Sequence, residues 1–239
     1  MKRTHDKFYL TEEKNVPVKD SFKMIADHIE IEFLDPNRQL IVADIGCAVG
    51  VFPNYISQRF PSMQVTGCEY DAELLSAAQA NYPDLDFLQF DLCDRSSSDE
   101  NSFDVITLCG VLSIFDDYEG ILDNMLYWVR PGGRLLIFNM FNPHDLDVFV
   151  KYKHSNEGLE AGLESGWNII SQKSISDSLV TRDISNFEFV KFDISVDLPR
   201  RPDDHVRSWT ENHADGQRFI INGLNLLQPH HLLKIRIAD

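Results

Sequence analysis

Two carboxylates flank a glycine-spaced turn, and their separation is that of a ligand site. The apolar run Ile41-Val42-Ala43 ends in Asp44, and the chain then breaks into Gly46-Cys47-Ala48-Val49-Gly50. A second apolar run ends in Glu69, with Tyr70 and Asp71 after it. An acidic residue about twenty positions beyond a glycine turn is where nucleotide-binding α/β domains place the carboxylate that takes ribose hydroxyls. The pattern predicts a site for an adenosine-bearing ligand, and charge narrows which one. A dinucleotide site uses G-x-G-x-x-G and offers helix N-terminal amides to a pyrophosphate. This chain has D-x-G-x-x-x-G, with Ala48 where a middle glycine would stand and Asp44 where its charge repels phosphate. A ligand carrying an ammonium or a sulfonium and no phosphate is attracted instead.

A strand, a tight turn and a helix N-terminus must hold these groups, and the pattern supplies such units in succession. Helical spacing through Phe22, Ile25, Ile29 and Phe33 predicts a leading helix. Strand-like stretches follow at 40–44, 64–69, 85–90, 103–108 and 133–138, separated by helical patterns at 53–59, 72–81 and 119–129. Crossovers of that length force parallel pairing. Beyond Asn139 the rhythm changes. A helix is expected over 143–153, a strand over 167–175 and an alternating strand over 187–198. A hairpin is expected about Asp215-Gly216, pairing 207–213 with 218–222, and a closing strand over 230–237.

At this point the chain resembles the class I S-adenosylmethionine-dependent methyltransferases, over roughly residues 40 to 140. Asp44 to Gly50 matches the motif whose acid and loop backbone hold the methionine part, through Asp44, Gly46, Cys47, Ala48 and Gly50. Glu69 matches the ribose acid, with Tyr70 and Asp71 flanking it. Asp91 matches the acceptor for the adenine amine, and Leu92 the side chain packed on that ring. Cys109 and Gly110 lie where the fourth strand ends beneath the reactive methyl, and Pro131-Gly132-Gly133 completes the series. The resemblance implies an α/β fold: a Rossmann-like three-layer sandwich with a mostly parallel seven-stranded sheet and an antiparallel C-terminal hairpin. It also implies S-adenosylmethionine as cofactor, leaving S-adenosylhomocysteine as product. The one departure from the pattern is Ala48. Residues 1–239 read as one domain, with a leading helical segment to 39, a cofactor core over 40–140 and an acceptor side over 141–239.

Methyl transfer is an in-line displacement, so positioning supplies most of the rate. A hydroxyl acceptor also needs a base, whereas an amine need only arrive deprotonated. Candidates after the fourth strand are Ser113, Asp116 and Asp117; after the fifth they are Asn139, Asn142, His144 and Asp145. His144 is the first choice, because imidazole titrates in the useful range. Tyr9 and Phe115 are candidate walls of the sulfonium site, and His205, Trp209 and His213 candidate acceptor contacts.

Composition limits the partners. The net charge of −16, from 22 basic and 38 acidic residues, argues against a nucleic-acid acceptor. No apolar run approaches the roughly twenty residues that span a bilayer. The cysteines Cys47, Cys68, Cys93 and Cys109 occur singly, with neither zinc nor disulfide spacing, and read as reduced thiols in a cytoplasmic protein. No metal site is expected. The acceptor is expected to be a small molecule, O- or N-methylated, a sugar or secondary metabolite among the options. Another user of the same fold, such as an aminopropyl transferase or a nicotinamide oxidoreductase, and a non-catalytic partner subunit stay open as alternatives.

Overall fold

Alternating apolar residues bury both faces of a central sheet. The computed structural model describes residues 5–11, 18–32, 39–158, 160–214 and 216–239. Strands β1 (Ile41–Ile45), β2 (Gln64–Glu69), β3 (Asp86–Gln89), β4 (Phe103–Cys109) and β5 (Val129–Asn142) pair in parallel. The short strands β6 (Lys151–Tyr152), β7 (Glu164–Ser165) and β8 (Ile170–Ser171) follow, then β9 (Phe187–Lys191), β10 (Trp209–Asn212), β11 (Arg218–Ile221) and β12 (His230–Arg236). The main sheet runs β3-β2-β1-β4-β5-β12-β9, with β8 added at the end of β5. β12 is antiparallel to both β5 and β9. The hairpin β10–β11 stands apart as its own two-stranded sheet, as does β6–β7.

Helices α1 (Asp20–Glu32) and α2 (Val51–Arg59) cover one face, and α4 (Tyr118–Trp128) and α5 (Gln172–Val180) the other; α3 (Ala72–Asn81) packs beside Phe87 and Cys47. Side-chain alternation sorts the core. Val42, Val105, Leu136 and Leu232 join Phe22, Ile25, Phe52 and Ile56, while Ala43, Ile106, Ile137 and Leu233 join Leu122, Met125 and Trp128. A parallel strand buried on both faces reads as a nearly unbroken apolar run, which is why these strands were legible.

The region after β5 departs from expectation. No helix forms over 143–153: that stretch is irregular, bridges Ile169 through Val148, and ends in β6. Asp147 explains the difference, because its two carboxylate oxygens accept from Ser171 N–H and Ser174 Oγ and so anchor the start of α5. The strand expected over 167–175 is confined to β8, since Ser171 caps a helix by accepting from Ser174 N–H. The strand expected over 187–198 ends at Lys191. Phe33 and Asp215, named for the leading helix and the hairpin turn, lie outside the described residues. No helix among the described residues is long and apolar enough to cross a membrane.

Candidate functional site

The strand order reverses between β1 and β4, so the loops leaving their carboxyl ends part and open a crevice. The strands end level there: Ile45 pairs with Cys68 and Leu108, and Glu69 with Gln89. The turn after β1 is tight. Gly46 and Cys47 N–H both donate to Cys68 C=O, at 2.8 and 3.1 Å, and Gly46 has φ +74°. A Cβ on Gly46 would lie 2.5 Å from a Val111 methyl, so this glycine lets the β1 loop touch the β4 loop. Ala48 takes φ +49°, a left-handed conformation that costs a side-chain-bearing residue about 1 kcal/mol.

That strained turn is held by Glu69. Its Oε2 accepts from Ala48 N–H at 2.8 Å and its Oε1 from Asp71 N–H at 2.9 Å, while Asp71 caps α3. Asp44 is buried at the end of β1, and Thr107 Oγ1 donates to its Oδ1 at 2.8 Å. Burial, opposed by the Thr107 hydroxyl and aided by the Glu69 charge, pushes the Asp44 carboxyl up to about 7. Burial also raises Glu69, against the pull of the amides it accepts from. Among the described residues no cation acts on either acid. The donor set therefore fits a ligand that brings its own positive charge and hydroxyl donors, and opposes a pyrophosphate.

The other sequence-derived positions surround the same crevice in different states. Tyr70 is exposed, and Gly110 is exposed with open space where a Cβ would be. Asp91 folds into a turn, Oδ1 accepting from Cys93 N–H and its main chain bonded in both directions to Ser97 Oγ. Leu92 belongs to the core cluster and leaves little surface for a ring to pack on. Cys109 is half-buried, its thiol pushed up to about 12 chiefly by burial. Burial and the two neighbouring acids raise the thiols of Cys47 and Cys68 as well, which makes them poor nucleophiles.

His144 is exposed on the loop after β5, where its N–H donates to Asn142 Oδ1; among the described residues nothing orients its imidazole. Asp116 is tied to Lys151 and Asn168, Asp117 caps α4, and Ser113 N–H donates to the buried Asn139. Trp209 is buried beneath Arg200, while His205 is exposed at the rim of a separate cavity. The sequence did not single out His5 or Asp204. They stand 3.4 Å apart in that cavity, joined only by the fold, and no spacing rule links residues so distant in the chain.

The methyltransferase domain family matches over residues 43–135, the segment that carries β1 to β5. Residues 43–135 are similar to a methyltransferase domain. The sheet around that segment has the Rossmann-like order seen in the solved structures it resembles. A trans-aconitate 2-methyltransferase of Azoarcus sp. (strain BH72) is 31% identical over 96 residues, 40% of this chain and 37% of that one. The matched part spans 37% to 63% of the length of the curated relatives aligned first. Among solved structures, the YcgJ protein from Bacillus subtilis superposes with a TM-score of 0.59 at 12% identity, covering 90% of this chain and 98% of that one. A Burkholderia thailandensis 1,6-didemethyltoxoflavin-N1-methyltransferase, with S-adenosylhomocysteine bound, superposes at 0.54 and 15% identity, covering 92% and 80%. At such identities these likenesses speak for the fold.

Proposed function

We propose that the chain binds S-adenosylmethionine in the β1–β4 crevice and transfers its methyl group to a small-molecule acceptor, at oxygen or nitrogen. The observation that carries this reading is the pair of buried carboxylates, Asp44 and Glu69, with no cation on them among the described residues, at the start of the segment that matches a methyltransferase domain. In this reading Asp44 receives the ammonium of the methionine part, and the turn from Gly46 through Cys47 and Ala48 to Gly50 closes on it. Glu69 takes the ribose hydroxyls on its remaining lone pairs, Tyr70 flanks the ribose, and Asp91 borders the adenine. Cys109 and Gly110 floor the reactive methyl. Net charge of −16 favours a small acceptor over nucleic acid. Free thiols at all four cysteines fit a reducing compartment, the cytoplasm.

Thermal unfolding tests the cofactor. S-adenosylhomocysteine at 100 times its dissociation constant stabilises by about 2.7 kcal/mol, a rise of roughly 5–10 °C for a chain of this size. No shift with this ligand, and a shift with NAD in its place, would sink the methyl-transfer reading in favour of an oxidoreductase.

His144 enters the proposal as a rim residue rather than as the base that its position after β5 first suggests. A base contributes its usual factor of about 100 or more only when held within hydrogen-bond reach of the proton. His144→Ala is expected to keep turnover within about threefold, with unaltered S-adenosylhomocysteine affinity. A loss beyond about tenfold in kcat would restore it as base.

A further inference from the structure

The molecule holds a second built cavity, of about 680 Å³, in the range of small-molecule sites. One wall is the short 3-10 helix His5–Thr11; the others come from residues 154–157 and 203–206. Its position ties it to the crevice on two sides. Lys7, on the 3-10 helix, lies 3.9 Å from Glu73 in the first turn of α3, which starts directly after Glu69 and Asp71. The His5 ring meets the edge of Trp167 at 4.9 Å. The next residue, Asn168, donates to Ser113 C=O and Phe115 C=O in the loop that leaves β4.

The polar lining has a definite sign. Among the described residues three carboxylates, from Glu157, Asp203 and Asp204, face one ammonium, that of Lys7, and three histidines. Asp204 carries the chemistry. Its side chain is 2% exposed; Oδ1 lies 3.4 Å from His5 Nδ1 and accepts from Arg207 N–H at 3.0 Å. Its Oδ2 is buried and has no hydrogen-bond partner among the described residues. An unmatched buried carboxylate oxygen is costly until a donor reaches it. A ligand that supplies N–H donors and positive charge removes that cost, whereas a polycarboxylate adds repulsion.

We propose that this cavity is the acceptor site and takes a small amine, held as its ammonium against Asp204, so that nitrogen is the atom methylated. The assignment rests on the methyl-transfer reading. The bound ammonium gives one proton to the Asp204–His5 pair, which passes it to water. The freed nitrogen lone pair then forms the C–N bond while the methyl–sulfur bond breaks with its electrons staying on sulfur. The products are an N-methylammonium and the neutral thioether S-adenosylhomocysteine. The trans-aconitate acted on by the Azoarcus relative is a tricarboxylate, and it does not suit this lining.

Transfer from methyl-labelled S-adenosylmethionine to tyramine, histamine and putrescine, each tested beside trans-aconitate and citrate, decides the point. The expected result is an N-methylated product from at least one amine and none from either carboxylate. Asp204→Asn should lower amine kcat/KM by about 30-fold, the worth of one hydrogen bond to a charged group, with S-adenosylhomocysteine affinity unchanged. Asp203→Lys, at an exposed position, should raise the amine KM by about tenfold by reversing one lining charge without risk to folding. A methyl ester of trans-aconitate or citrate, no methylated amine, or an Asp203→Lys protein with parental amine KM would overturn the assignment. If the parent protein fails to bind S-adenosylhomocysteine, the methyl-transfer reading falls and this assignment with it. If binding is intact and the amines stay unmethylated, the acceptor assignment alone falls.

Discussion

Asp44→Asn is expected to bind S-adenosylhomocysteine about 100-fold more weakly than the parent and yet, without ligand, to melt at a higher temperature above pH 7. Both effects come from one buried charge. In the folded chain burial holds the Asp44 carboxyl near 7, against a solution value of 3.8. The folded state thus binds a proton that the unfolded state has released. Stability therefore falls as pH rises through that window, and the loss is complete above about 7. The full difference is worth about 4 kcal/mol at 1.36 kcal/mol per pH unit. Asparagine keeps an oxygen for the Thr107 hydroxyl and carries no charge, so it escapes this cost. With half of the difference realised, the melting temperature rises by roughly 4–8 °C at pH 8, and the advantage vanishes near pH 4. Affinity moves the other way, because an ammonium left without its buried partner costs about 2–5 kcal/mol. Calorimetric titration at pH 8 together with melting curves from pH 4 to 8 would check both. A variant that bound normally, or that was less stable than the parent at pH 8, would show that Asp44 does not serve as an unpaired carboxylate awaiting a cation.

Glu69→Ala should fail in a different manner, losing affinity and stability together. The sequence alone suggests a ribose contact and nothing more. The structure gives the same carboxylate a second duty, because each of its oxygens already receives a backbone amide. Deleting it orphans both amides at about 1–3 kcal/mol each, partly offset by removing a carboxylate that burial disfavours. A net loss of about 2 kcal/mol in urea unfolding is expected. S-adenosylhomocysteine affinity should fall about 100-fold, since two charge-assisted bonds go and the Ala48 turn loses its clamp. Glu69→Gln, which retains one carbonyl acceptor, should recover part of the stability and little of the affinity. Equal affinity in parent and Glu69→Ala would refute the ribose assignment.

The contrast shows where the sequence could be read and where it could not. Asp44, Gly46, Gly50 and Glu69 are local punctuation, each at a strand end or turn whose geometry is set by neighbours a few positions away. Strands β1 and β4 and the stretch of β5 from Leu135 to Phe138 were legible because both faces are buried and the apolar run is nearly continuous. The stretch 143–153 misled because its spacing resembles a helix, while its Asp147 serves partners 24 and 27 residues on, at Ser171 and Ser174. Leu92 shows a finer limit: its type suits a ring contact, but only the packing reveals that the core already holds it. The pair His5–Asp204 was illegible for the strongest reason, since nearly the whole chain lies between its members and tertiary folding alone brings them together.

The placement of β12 has a consequence for the order in which the molecule is made. β5 and β9 both hydrogen-bond to β12, and residues 192–229 are synthesised between β9 and the strand it needs. A growing chain therefore carries two unpaired strand edges, one of them along the buried stretch of β5 from Leu135 to Phe141, until residue 236 has left the ribosome. Open edges of that kind invite pairing with other chains. The interval between β9 and β12 is thus the period in which a nascent copy is most exposed to aggregation, and slowing elongation over residues 192–229 would lengthen it.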